Sequence, residues 1–133
     1  MVDRESATNE SPLGAVSTRR LEGKIVETTY RGKISAEMAE QVRRDIEPFL
    51  KDTPGVDWLI NTTAATGFAP APRTATIGVI ELFKKHKGHR IAAVMPSTGI
   101  RMVASALVFA TGMPLKIFET RDKALAYLRS KDP

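Results

Sequence analysis

The sequence predicts an α/β fold: a mixed, mainly parallel sheet of about five strands with four helices, in the order ββαβαβαβα. Three observations carry this reading. Short β-branched or continuously apolar runs alternate with longer segments whose apolar residues recur at helical spacing. The first two strands are separated by Glu22-Gly23 alone, a turn signal that makes them an antiparallel hairpin. After the hairpin, strands and helices alternate, and such crossovers lay successive strands side by side in parallel.

The chain has 133 residues, enough for one domain with its own core. Residues 1–14 are polar and aperiodic and read as a disordered tail, leaving 15–133 as the single domain. There is no Cys, which excludes disulfides, thiolate chemistry and Cys-based zinc sites and fits a reducing compartment. The longest strongly apolar run, around Met102–Ala110, falls far short of a membrane span, and the N-terminus lacks a signal-peptide core. The expectation is a cytoplasmic protein without a membrane span. The net charge of +5 is spread through the chain apart from Lys84–Arg90, and reads mainly as solubility.

Val16–Leu21 and Lys24–Arg31 are the hairpin strands; Ile25, Glu27 and Thr29 alternate with Val26, Thr28 and Tyr30, and Gly32 ends the second. Ser35 is an N-cap, and Met38, Val42, Ile46 and Phe49 form the apolar face of the first helix, with Glu37, Glu40, Arg43 and Arg44 opposite. Pro48 kinks or ends it. Val56–Ile60 reads as a central parallel strand covered on both faces. A loop over Asn61–Pro72 follows, then a helix from Arg73 to Lys87 with Gly88 as its C-cap. Arg90–Met95 is a buried strand, Ile100–Thr111 a helix stopped by Gly112, and Leu115–Phe118 the last strand. Thr120 caps a closing helix that packs through Ala124, Leu125, Tyr127 and Leu128.

Three C-terminal stretches carry a family resemblance. Arg90-Ile91-Ala92-Ala93-Val94, the run from Ile100 through Gly112 to Thr120, and Lys123-Ala124-Leu125-Ala126-Tyr127-Leu128 resemble a core strand, a helix–Gly–strand segment and the closing helix of the STAS domain family. The anti-sigma-factor antagonists belong to that family. The resemblance spans roughly Val16 to Ser130. In the antagonists the loop after the third strand holds an Asp-Ser-Ser/Thr-Gly-Leu motif, whose phosphorylated hydroxyl at a helix start switches partner binding. Aligned on Ile77-Gly78-Val79-Ile80, this chain has Arg73 at the Asp, Thr74 and Ala75 at the two hydroxyl positions, and Thr76 at the Gly. Asn61 stands where an acidic residue often ends the strand. A phosphate on Thr74 would be stabilised by the helix N-terminus and Arg73; the plain alternative is that Thr74 caps the helix.

The loop is more similar to divergent family members that lack the phosphoacceptor motif and whose shape is similar to lipid-binding domains of the CRAL-TRIO kind. That likeness implies an apolar pocket under the middle helices, lined by Phe68, Ile77, Ile80 and Phe83, unless these are ordinary core.

Other constellations are weaker. Ser97, Thr98 and Arg101 sit at a strand-to-helix handover where backbone amides and a cation suit an anion, although a capped helix with a surface Arg accounts for them better. His86 and His89 have metal-like spacing but no nearby carboxylate, so no metal is expected. No G-x-S-x-G elbow is present, and neither His sits where a base is needed. Aromatics are not interleaved with cations, which argues against nucleic acid.

The reading is a non-enzymatic STAS-like module in signalling, needing no cofactor and binding a protein partner through the loop after the third strand, with Thr66, Arg73, Thr74 and Thr76 as regulatory or partner-binding residues. The alternative is a carrier or sensor of a lipid or other small apolar ligand. A homodimer stays open through the hairpin edge near Val16–Arg31, unless Arg19, Arg20 and Glu22 prevent strand pairing.

Overall fold

The computed structural model describes residues 6–11, 14–69, 73–112 and 115–130, with the side chains of 6–11, 73–76, 107, 110 and 111 outside that description. The strands are β1 (Ser6–Ser11), β2 (Gly14–Glu22), β3 (Ile25–Ile34), β4 (Asp57–Phe68), β5 (Arg90–Val94) and β6 (Leu115–Phe118). The helices are α1 (Ala36–Asp52), α2 (Arg73–Lys85), α3 (Thr98–Thr111) and α4 (Arg121–Arg129). From β2 onward the order is the expected ββαβαβαβα. The strands lie in sequence order in one sheet. β1–β2 and β2–β3 pair antiparallel, and β3–β4, β4–β5 and β5–β6 pair parallel.

The segment read as a tail contains β1, whose Ser6–Ser11 pair with Gly14–Arg19. Polar side chains do not prevent this, because an edge strand is held by its backbone ladder on one side. β1 also covers β2, so the hairpin edge considered for dimerisation is internal to the sheet.

Ser35 caps α1, its Oγ accepting from the Met38 amide at 3.2 Å. Pro48 lies inside α1 and does not end it. Pro48 and Arg44, whose carbonyl loses its intrahelical partner, are both exposed, so water can take the bond that proline removes.

The largest difference from the sequence reading is β4. It continues to Phe68 through most of the segment expected to be loop. β3 likewise runs past Gly32 to Ile34, and Arg31–Ile34 pair with Ala64–Phe68 across a register shift. The β-branched Thr62 and Thr63 suit this extension, and Thr62 is anchored by donating to the Val94 carbonyl at 2.7 Å.

α2 ends in a Schellman turn. The Gly88 amide donates to Phe83 O at 2.9 Å and the Lys87 amide to Lys84 O at 3.0 Å. The left-handed residue is Lys87, with φ of 56°. Gly88 is required for a different reason: a Cβ there would stand 2.3 Å from the Phe83 ring.

β3 to β6 run in sequence order, and same-handed crossovers put α1, α2 and α3 on one face. Their core joins Val26 and Trp58 of the sheet to Val42 and Ile46 of α1, Phe83 of α2 and Ala104 of α3. α4 covers the other face, where Ala124, Leu125 and Leu128 meet Ile25, Leu59, Ala92 and Val94. Two arginines clasp α4. At its C-terminus the buried Arg90 donates to the carbonyls of Tyr127, Leu128 and Ser130 at 2.8–2.9 Å, where a cation also suits the helix dipole. At its N-terminus Arg121 meets Glu27 through two bonds of 2.9 and 3.0 Å.

Candidate functional site

The face under α1, α2 and α3 contains an apolar cavity of about 70 Å³, partly open to the surface. Each wall follows from local structure. Period-two alternation turns Tyr30 and Ile34 of β3, and Trp58, Ile60 and Thr62 of β4, toward the helices. Phe68, at the end of the β4 extension, joins them. Val79 and Ile80 come from α2, Ala104 and Val108 from α3, and Ala39 from α1. Met95 and Leu115 complete the wall beyond β5 and on β6. The alanines at 39 and 104 occupy positions where larger aliphatic side chains would take up the space.

The wall is almost wholly apolar, and its polar groups are few. The Trp58 indole N–H is turned into the sheet, donating to Thr28 Oγ1 at 3.0 Å, and Thr28 in turn meets Thr18 Oγ1 at 3.0 Å. Thr62 spends its proton on Val94 O. Tyr30 is 8% exposed, and burial pushes its phenol well above the ordinary value of 10.0. Among the described residues, no Lys, Arg, His, Asp or Glu lines the cavity. A dry cavity of about 150 Å³ admits benzene, so the enclosed space here suits a group roughly half that size, or the end of a longer molecule leaving by the mouth.

The residues expected to line a pocket divide. Phe68 and Ile80 do so. Phe83 is buried behind the wall, stacked on Trp58 with centroids 5.9 Å apart, and Ile77 is half-buried; neither is among the lining residues. Tyr30, Trp58 and Met95 escaped the sequence reading. The alternation in β3 marks Tyr30 as inward-facing, but nothing local shows that α3 stands opposite it.

The proposed regulatory residues lie at the β4–α2 handover. Thr66 is exposed on β4 rather than in a loop. Arg73, Thr74 and Thr76 fall in the first turn of α2, with side chains outside the described residues. At the other handover, Ser97 caps α3 by accepting from the Ile100 amide at 3.4 Å. Arg101 donates to Thr98 Oγ1 at 3.3 Å and pairs with Glu119 at 3.4 Å. The three groups considered for an anion are thus engaged with the protein itself.

His89 Nδ1 meets Asp57 Oδ1 at 2.9 Å, and Asp57 also accepts from Arg90 at 3.4 Å. No cluster of His, Cys, Asp and Glu suited to a metal occurs among the described residues. On the α4 face the buried Glu27 gathers Arg121, Arg19 at 3.1 Å and Asn61 at 3.3 Å. Burial opposes ionisation of Glu27, but the hydrogen bonds and charge of Arg121, with Asn61 and Arg19, outweigh it and hold the carboxyl below its ordinary value of 4.5.

A family model described as SpoIIAA-like matches residues 25–129. Among solved structures, the chain is similar to an uncharacterized protein with a SpoIIAA-like fold from Shewanella loihica, at 20% identity and a TM-score of 0.65 over 90% of this chain and 98% of that one. It is also similar to an anti-sigma factor antagonist from Mycobacterium paratuberculosis, at 19% identity and TM-score 0.59 over 92% and 100% of the two chains. The phosphorylated form of the Bacillus cell fate determinant SpoIIAA aligns at 15% identity and TM-score 0.59, covering 86% and 99%. At these identities the likeness establishes the fold. No curated protein sequence matches the chain. Among the described residues, no helix is long and apolar enough to cross a membrane.

Proposed function

The chain belongs to the SpoIIAA-like family, and from that premise we propose that it is a non-enzymatic regulatory module that binds a small apolar ligand under its middle helices. The observation that carries this reading is the cavity itself: a native interior is normally close-packed, yet here a partly open space, uncharged among the described residues, is walled by three helices, three strands and Met95. Pockets lined by apolar side chains with few polar groups are the usual form of small-molecule sites.

The reading also has an output. α2 contributes Val79 and Ile80 to the wall, and its first turn holds Arg73, Thr74 and Thr76. The aligned structures include the Bacillus cell fate determinant SpoIIAA in its phosphorylated form. A protein partner met at Thr66 and the start of α2 would therefore touch the helix that the ligand touches. Ligand occupancy and partner binding then couple through one element.

Native mass spectrometry of gently purified protein tests the ligand. The expected result is a bound mass that organic extraction removes. A bare chain in every preparation, with no thermal stabilisation by any apolar compound, would refute the proposal. Thr74→Glu and Thr76→Glu, set beside the alanine variants in a pull-down, test the output separately.

A further inference from the structure

We infer that the cavity takes a small neutral molecule with an apolar body and one carbonyl or hydroxyl oxygen, held at that oxygen by the Tyr30 hydroxyl. This deepens the ligand-binding reading above and rests on it.

Among the described residues, three side chains with polar groups line the cavity, and their hydrogen bonds decide its chemistry. Thr62 has no proton left to offer, since its hydroxyl already donates to Val94 O at 2.7 Å. Trp58 lines the wall with its ring while its N–H is satisfied by Thr28 inside the sheet. Tyr30 differs. Its side chain lines the cavity, it is 8% exposed, and its hydroxyl has no hydrogen-bond partner among the described residues. Yet that hydroxyl is not sealed in: the fully enclosed side-chain polar atom that lacks a partner among the described residues is His86 Nε2. We place that remaining surface in the cavity, which Tyr30 lines. A buried hydroxyl without a partner is costly, and an acceptor on the ligand removes that cost.

The same wall excludes ions. With no cation among the described residues facing the space, a carboxylate entering it would lose its hydration and gain one hydrogen bond, which is a poor exchange. Burial also raises the Tyr30 phenol above its ordinary value, so it stays protonated and able to donate at neutral pH. Ketones, aldehydes, esters and alcohols meet both conditions; fatty-acid anions and plain hydrocarbons each fail one.

The test uses the single Trp of the chain, which lines the cavity, as the reporter. The full-length protein is titrated with 2-pentanone, butyrate and pentane while Trp58 emission is followed. Saturable changes are separated from the linear quenching of free tryptophan. The expected result is that 2-pentanone binds about tenfold tighter than butyrate, and that Tyr30→Phe weakens 2-pentanone about fivefold while leaving pentane unchanged. Ala104→Leu, which fills the space, abolishes all saturable binding. Butyrate binding as tightly as 2-pentanone, or full affinity in Tyr30→Phe, would overturn the inference while leaving the ligand-binding reading intact. Saturable binding by none of the three probes would overturn the inference, and together with a bare chain in native mass spectrometry and no stabilisation by any apolar compound it would overturn the ligand-binding reading as well.

Discussion

Thr28 ties together the three neighbouring strands β2, β3 and β4. Its hydroxyl accepts from the Trp58 indole and pairs with Thr18, all three side chains being buried. Each partner depends on Thr28 for its satisfaction, and a buried donor without a partner costs more than a hydrogen bond contributes when formed. Thr28→Val keeps the shape and removes the oxygen. We expect it to cost about 1–3 kcal/mol in urea unfolding; an unchanged midpoint would mean that the indole finds another acceptor. Tyr30, two residues on along the same face, is the contrasting case, because its hydroxyl has no partner among the described residues.

The helix ends show why elements here stop and pack as they do. α3 closes on Gly112 in the left-handed region, φ 68°, where a glycine is favoured. α2 instead places Lys87 in that region and keeps Gly88 for its absent side chain. Phe83 fills the space where the Gly88 side chain would be, and Phe83 backs Trp58. Gly88→Ala must displace that ring. It should destabilise the fold by about 1–3 kcal/mol, as overpacking does, and shift Trp58 emission even without ligand. A variant with wild-type stability and emission would show that the Schellman turn can move aside. α3 is apolar on both sides: Ile100, Ala104 and Val108 face inward, while Met102 and Phe109 are 69% and 93% exposed. Its inner positions are small or aliphatic, which is why space remains beneath it.

At the scale of the molecule, the two faces of the sheet are built differently. The α1–α2–α3 face is apolar and holds the cavity, whereas the α4 face is fastened by charge at both helix ends, through Arg90 and Arg121. This makes stability pH-dependent. The folded Glu27 carboxyl lies below 4.5, so its contribution is present in full above the unfolded value. It is lost as pH falls through the lower folded value. Unfolding midpoints should therefore drop below about pH 4.5, and Glu27→Gln should flatten that drop while lowering stability at neutral pH. An acid profile unchanged by Glu27→Gln would place the pH dependence elsewhere.

The sequence carried the alternation of strands and helices, the hairpin of β2 and β3 (though its turn falls at Gly23-Lys24, one residue later than Glu22-Gly23), the capping by Ser35 and Thr120, and the inward faces of α1 and α4. All of these depend on periodicity and on residues within a few positions of one another, so local physics suffices. It misjudged the segment after Ile60 because alanines, threonines and a glycine read as loop until β3 supplies a ladder for them. The candidate site was legible only at Phe68 and Ile80. Its remaining walls come from strands and helices far apart in the chain. A cavity is the space those elements leave between them, and the size of that space depends on crossover geometry and on which small residues face each other. Only the tertiary structure decides that Ala39 and Ala104 stand over the same gap, and that the Tyr30 hydroxyl is left there without a partner among the described residues.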